Sequence, residues 1–117
     1  MSDLGDRIRA RRTALAALDP QFGLRRLAVR AGISPTYLSR LETGKADPPS
    51  AAVIEKLAFE LGENPDVLCA LADRTSPRLK RIINQHPELF GQLLDQLDDL
   101  PKDALLRVVR EVRDGDW

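Results

Sequence analysis

The sequence predicts an all-α protein, with five short helices over residues 3 to about 72 and two to three further helices behind them. Three observations predict it. Apolar residues recur at spacings of three and four along nearly the whole chain. No stretch alternates apolar and polar β-branched residues as a strand would. Glycine, proline, serine, aspartate and asparagine fall between the periodic segments, where helices start and stop.

Each element follows from these signals. A first helix runs from about Asp3 to Leu18, with Leu4, Ile8 and Leu15 inward, and Asp19-Pro20 ends it. After a loop from Pro20 to Gly23, Leu24 to Ala31 makes a two-turn helix with Leu27 and Ala28 inward, and Gly32 stands where a left-handed cap belongs. Ser34 caps a third helix that opens on Pro35, whose missing N–H is harmless in a first turn, and reaches Glu42 or Thr43 before Gly44. Asp47-Pro48-Pro49 is a rigid turn. Ser50 caps a fourth helix, striped by Val53, Ile54, Leu57, Ala58 and Leu61 and closed by Gly62. Asn64-Pro65 caps a fifth, reaching about Ala72. Beyond Ser76-Pro77 the pattern continues through Ile82, Ile83, Leu89, Phe90, Leu93, Leu94 and Leu97, broken at Pro87. A last helix, Lys102 to Arg113, carries Leu105, Val108, Val109 and Val112 on one face.

Composition narrows the function. With 43% hydrophobic and 31% charged residues the chain has the balance of an ordinary soluble globular protein. It lacks an apolar run of bilayer length, and Asp3, Asp6, Arg7 and Arg9 occupy the place of a signal peptide's apolar region, so a cytoplasmic location is expected. A lone cysteine, Cys69, and a lone histidine, His86, can build neither a disulfide nor a metal site, and no metal or cofactor is expected. Cys69 reads as a small core residue and His86 as a helix-end residue. Trp117 reads either as a frayed end or as a contact across a dimer. No nucleophile and base set, phosphate loop or metal spacing is present, so no enzyme is expected.

The formal net charge is zero, but its distribution is uneven. Residues 1–45 carry nine basic and four acidic side chains, residues 46–74 two and six, and residues 75–117 seven and eight. Any field that attracts phosphate must come from the first third of the chain. Within that third, two short helices joined by a glycine turn form a unit that can present its second helix to a DNA major groove. Ala28 must be small where the next helix crosses, Gly32 must take a positive φ, and Ile33, Leu38 and Leu41 must be apolar to anchor that helix.

The segment LRRLAVRAGISPTYLSRLETGKADPPS, residues 24–50, resembles the helix-turn-helix of the phage repressor and Cro family, also called the xenobiotic response element family. Ala28, Gly32, the Ser34 cap, Leu38-Ser39, Leu41-Glu42, Gly44 and Pro48-Pro49-Ser50 match its pattern, and the likeness covers residues 3 to about 72. It implies a five-helix lambda-repressor-like DNA-binding domain at residues 1–74, with a helical extension at 75–117 as a dimerisation region. By that likeness the recognition helix 35–42 reads base edges with Pro35, Thr36, Tyr37 and Arg40. Ser39 is counted with them. Arg40 is suited to pair with guanine O6 and N7. Arg25, Thr43 and Lys45 resemble the phosphate clamp, and Tyr37 is suited to stack on sugar or reach a phosphate. Leu24 departs from the pattern, because many relatives carry a glutamine on the first turn of that helix. Arg12 and Glu42 resemble a buried ion pair of structural importance, and Arg7, Arg9 and Arg11 read as solvated.

The extension cannot bury its apolar faces on itself alone. It either folds back on the first five helices or pairs with a second chain, and dimerisation is favoured because such readers bind paired half-sites. The expected function is a dimeric repressor on a palindromic operator. The alternative is an antitoxin or interaction module whose C-terminal helices hold a partner protein, a toxin; an inactivating metallopeptidase is a further possible partner.

Overall fold

The computed structural model describes residues 3–117, and among them eight α-helices and no strand are found. They are α1 (Asp3–Ala16), α2 (Leu24–Ala31), α3 (Pro35–Glu42), α4 (Ala51–Leu61), α5 (Pro65–Leu71), α6 (Pro77–Gln85), α7 (Pro87–Asp98) and α8 (Lys102–Asp114). The expected all-α architecture with five N-terminal helices is therefore present, and the extension supplies three helices. α1 stops at Ala16 rather than Leu18. There the hydrogen bonds tighten, with the Leu18 N–H on the Leu15 carbonyl at 3.0 Å, and the chain turns into a short 3₁₀ segment, Pro20–Phe22, capped by the Asp19 carboxylate on the Gln21 N–H at 2.9 Å.

Packing divides the chain into two compact units, the first reaching Lys80 and the second running from Arg81 to Trp117. In the first, the inward residues of α1 to α5 converge: Leu4, Ile8, Leu27, Leu38, Leu57 and Leu68 are all fully buried. Burying one such side chain contributes about 1.5–3 kcal/mol. Cys69 sits among them, and removal from water pushes its thiol pKa up, so it stays a neutral core residue. α1 is also tied to the end of α4, through Arg11 Nε on the Leu61 carbonyl at 2.8 Å and the Arg7–Glu63 ion pair at 3.1 Å. The start of α6 belongs to this unit. The fully buried Ser76 hydroxyl donates to Asp66 and accepts the Leu79 N–H at 3.0 Å, while Arg78 pairs with the same carboxylate.

The second unit has no buried residue in α7 or α8. Pro87 opens α7 as its first helical residue behind His86, and Pro101 precedes α8. Trp117 is 91% exposed and its indole N–H donates to the Val112 carbonyl at 2.8 Å. No helix among the described residues is long and apolar enough to cross a membrane.

Candidate nucleic-acid interface

α3 is set in place by local signals at both ends. Before it, Gly32 adopts φ +74° and lets the Ile33 N–H close on the Ala28 carbonyl at 3.0 Å, which turns the chain sharply out of α2. The Ser34 hydroxyl then accepts the Tyr37 N–H at 3.0 Å, with Pro35 in the first turn. After it, Gly44 at φ +73° lets its own N–H reach the Leu41 carbonyl and the Lys45 N–H reach the Arg40 carbonyl at 2.8 Å. Leu38 and Leu41 are buried, so Thr36, Ser39 and Arg40 are left in solvent.

α1 supports α3 from behind in two ways. Gly5 lies so close to the end of α3 that an added Cβ would come within 2.2 Å of the Leu41 carbonyl oxygen. Only a residue without a side chain allows that approach. Arg12 then reaches Glu42 with two parallel bonds, Nε to Oε2 at 2.6 Å and Nη2 to Oε1 at 2.9 Å, and its Nη1 touches the Phe22 carbonyl at 3.4 Å. The fork geometry, with Glu42 buried and Arg12 partly so, makes this a strong pair. The bond to Glu42 holds the Arg12 guanidinium above its already high ordinary pKa, against the opposing effect of burial.

The candidate residues divide into two groups. Arg25 from α2 joins Pro35, Thr36, Ser39 and Arg40 from α3 around one shallow depression, with Leu24 as an apolar part of its wall. Tyr37, Thr43 and Lys45 lie outside it. Thr43 folds its hydroxyl back onto the carbonyls of Ser39 and Arg40 at 3.0 and 3.2 Å. Tyr37 is half-buried and donates its hydroxyl to the Asp47 carbonyl, which braces the loop between α3 and α4; burial first, then the charge of Asp47, raise its pKa. Arg40 Nη2 donates to the Lys45 carbonyl at 2.8 Å, which engages one of the five N–H donors of its guanidinium.

Ion pairing sorts the nine cations of residues 1–45. Arg7, Arg12 and Arg30 are neutralised by Glu63, Glu42 and Glu60, and Arg30 also stacks over Phe22 at 5.3 Å. Among the described residues Arg9, Arg11, Arg25, Arg26, Arg40 and Lys45 form no ion pair. Four of these six fall on α2, α3 and the loop that follows, so uncompensated positive charge gathers on the helix-turn-helix segment. Gly23, at the cap of α2, offers no side-chain acceptor to the first-turn N–H groups, which adds a partial positive charge there.

Sequence reasoning passed over Gly5, and it read Arg7 and Arg11 as solvated where the structure pairs Arg7 with Glu63 and sets Arg11 Nε on the Leu61 carbonyl. A glycine inside a helical pattern is itself a signal of close backbone approach, and Gly5 carried that signal. Arg11 carried none, because its partner is a backbone carbonyl fifty residues away. Among the described residues no cluster of side chains could hold a metal ion. A family model described as a helix-turn-helix domain matches residues 3–71, which spans α1 to α5. No curated protein and no solved structure matches the chain.

Proposed function

The chain belongs to the helix-turn-helix domain family and so carries a DNA-binding domain, and on that footing we propose that it is a cytoplasmic transcriptional repressor of the phage repressor and Cro type. It binds a palindromic operator in double-stranded DNA as a homodimer, with α3 in the major groove of each half-site. The observation that carries this reading is the convergence of Arg25, Pro35, Thr36, Ser39 and Arg40 on one exposed, ion-pair-free face. The subfamily assignment is supported by Ala28, Gly32, the Ser34 cap, Leu41-Glu42 and Gly44, together with the Arg12–Glu42 pair.

In this reading Arg40 is the chief base reader. A bidentate arginine–guanine contact is worth about 1–3 kcal/mol of discrimination, and Thr36 adds a hydrogen bond or a methyl contact to thymine. Pro35 has no donor and contributes surface only. Arg25, Lys45 and the first amides of α2 hold phosphates, which fixes register without reading sequence. Thr43 and Tyr37 act on the same interface by shaping the end of α3 and the loop behind it. One α3 reads too few base pairs for a unique site, and a two-fold dimer doubles the readout.

Selection of bound duplexes from a random DNA pool tests the proposal, followed by affinity against salt for Arg40→Ala, Arg40→Lys and Lys45→Ala. Both Arg40 variants are expected to relax preference at one base position per half-site. Lys45→Ala keeps its carbonyl on Arg40 and is expected to weaken all sequences alike, with a salt slope flatter by about one unit. Selected sequences that show no shared half-site, or an Arg40→Ala variant with unchanged preference, overturn the reading.

A further inference from the structure

Leu24 and Pro35 give an apolar wall to the shallow depression that Arg25, Thr36, Ser39 and Arg40 complete. Leu24 is half-buried: it packs against the core of the first unit and also lines the depression. Pro35, likewise half-buried, has neither a side-chain donor nor a backbone N–H. This part of the wall can therefore take no hydrogen bond from a side chain, although it lies among residues of a candidate base-reading surface.

The remaining lining identifies the occupant. Among the described residues neither Arg25 nor Arg40 forms an ion pair, and two uncompensated guanidinium groups in one depression favour a polyanion. On duplex DNA, the purine N7 and O6 atoms, the amino groups and thymine O4 all accept or donate hydrogen bonds in the major groove, and the C5-methyl group is the feature that offers apolar surface. A polar base edge set against Leu24 and Pro35 would lose its water without gaining a partner, which is unfavourable. A methyl group gains by the same move.

Resting on the reading of α3 as the recognition helix, we infer that Leu24 is a specificity-determining residue, which with Pro35 receives the C5-methyl group of a pyrimidine in the major groove of each half-site. Thymine and 5-methylcytosine both carry that methyl group, and the recognised chemistry is common to the two. Where many relatives place a glutamine, this chain thus places a reader of apolar shape. It rejects an unmethylated pyrimidine by leaving a gap on the wall, and a polar base edge by leaving it unpaired.

Methyl replacement in the DNA tests this on the unaltered full chain. In a duplex taken from the random-pool selection, each thymine in turn is replaced by deoxyuridine, which removes the methyl group and keeps the base pair. Each cytosine in turn is replaced by 5-methylcytosine, which adds one. At one position per half-site the affinity is expected to fall about fourfold on removal, or to rise about fourfold on addition, the change for burying one such group. Which replacement acts distinguishes thymine from 5-methylcytosine as the source. Leu24→Asn and Leu24→Gln are expected to bring the methylated-to-unmethylated affinity ratio at that position close to one, and Leu24→Met to keep it. Each ratio is taken within one protein, so a smaller folded fraction does not alter it. Indifference to every replacement, on a duplex that has a shared half-site, overturns the role of Leu24 and leaves the reading of α3 standing. A ratio that neither polar variant changes does the same. A pool without a shared half-site overturns the reading of α3 and the role of Leu24 together.

Discussion

Leu27, Leu57 and Leu61 in the unit before Lys80 are wholly buried, whereas Leu89, Leu93 and Leu94 in the unit after it stand in water. The two regions have similar amphipathic patterns, similar proline and glycine punctuation and regular helices. Their difference shows that helix formation and burial are separate steps. A helix needs only local hydrogen bonds and a favourable start and stop. Burial needs a second surface, and α1 to α5 supply it to one another, while α7 and α8 have no buried residue.

Four measurements test this contrast. Leu57→Ala removes a fully enclosed side chain and is expected to lower the unfolding free energy by about 3–4 kcal/mol in urea titration. Leu93→Ala, measured at a concentration too low for association, should change it by less than about 0.5 kcal/mol. Equal losses would place α7 inside a monomeric core and end the comparison.

Ion pairs divide in the same way. Glu42→Ala strands the guanidinium of Arg12 in a largely buried place and is expected to lower stability by about 3 kcal/mol, read as a shifted denaturation midpoint. Asp114→Ala breaks a pair whose members stand in solvent and should leave Tm where it was. Glycines provide a third contrast. Gly5→Ala drives a methyl group into the Leu41 carbonyl and is expected to destabilise by about 2 kcal/mol, whereas Gly91→Ala on α7 meets nothing within 4 Å and should stabilise by about 0.5–1 kcal/mol. Thermal unfolding of the two variants should move in opposite directions.

The smallest effect concerns Tyr37, which is the sole tyrosine and therefore reports alone in an absorbance titration. Its folded pKa lies above the ordinary value of 10.0, so the protonated form is favoured by folding. The stability it contributes is present below that value and is lost as pH rises through the higher folded pKa. Phenolate formation is expected to show a higher midpoint in the folded chain than in urea. An equal midpoint would contradict the burial of the Tyr37 phenol beside Asp47.

Much of the first unit was legible in the sequence. The limits of α2 and α3 followed from Gly32, Ser34-Pro35 and Gly44, because left-handed turns and side-chain caps are local requirements that few residues meet. The Arg12–Glu42 pair was legible only through family resemblance, since nothing local links residues thirty positions apart. The candidate interface was legible as a set of residues but not as a surface. Thr36, Ser39 and Arg40 came from the family resemblance, while the inward bonds of Tyr37 and Thr43 depend on tertiary contacts such as the passage of the next loop.

The helices, their order and the polarity of each face are local properties of the chain, because caps, breakers and apolar spacing act over a few residues. The sequence also placed the excess positive charge in the first third of the chain. Tertiary structure alone decided which cations remain unpaired, how closely Gly5 admits α1 to α3, and that α7 and α8 are left uncovered. Those outcomes depend on contacts between distant residues, and an amphipathic helix carries the same pattern whether or not its apolar face meets another surface.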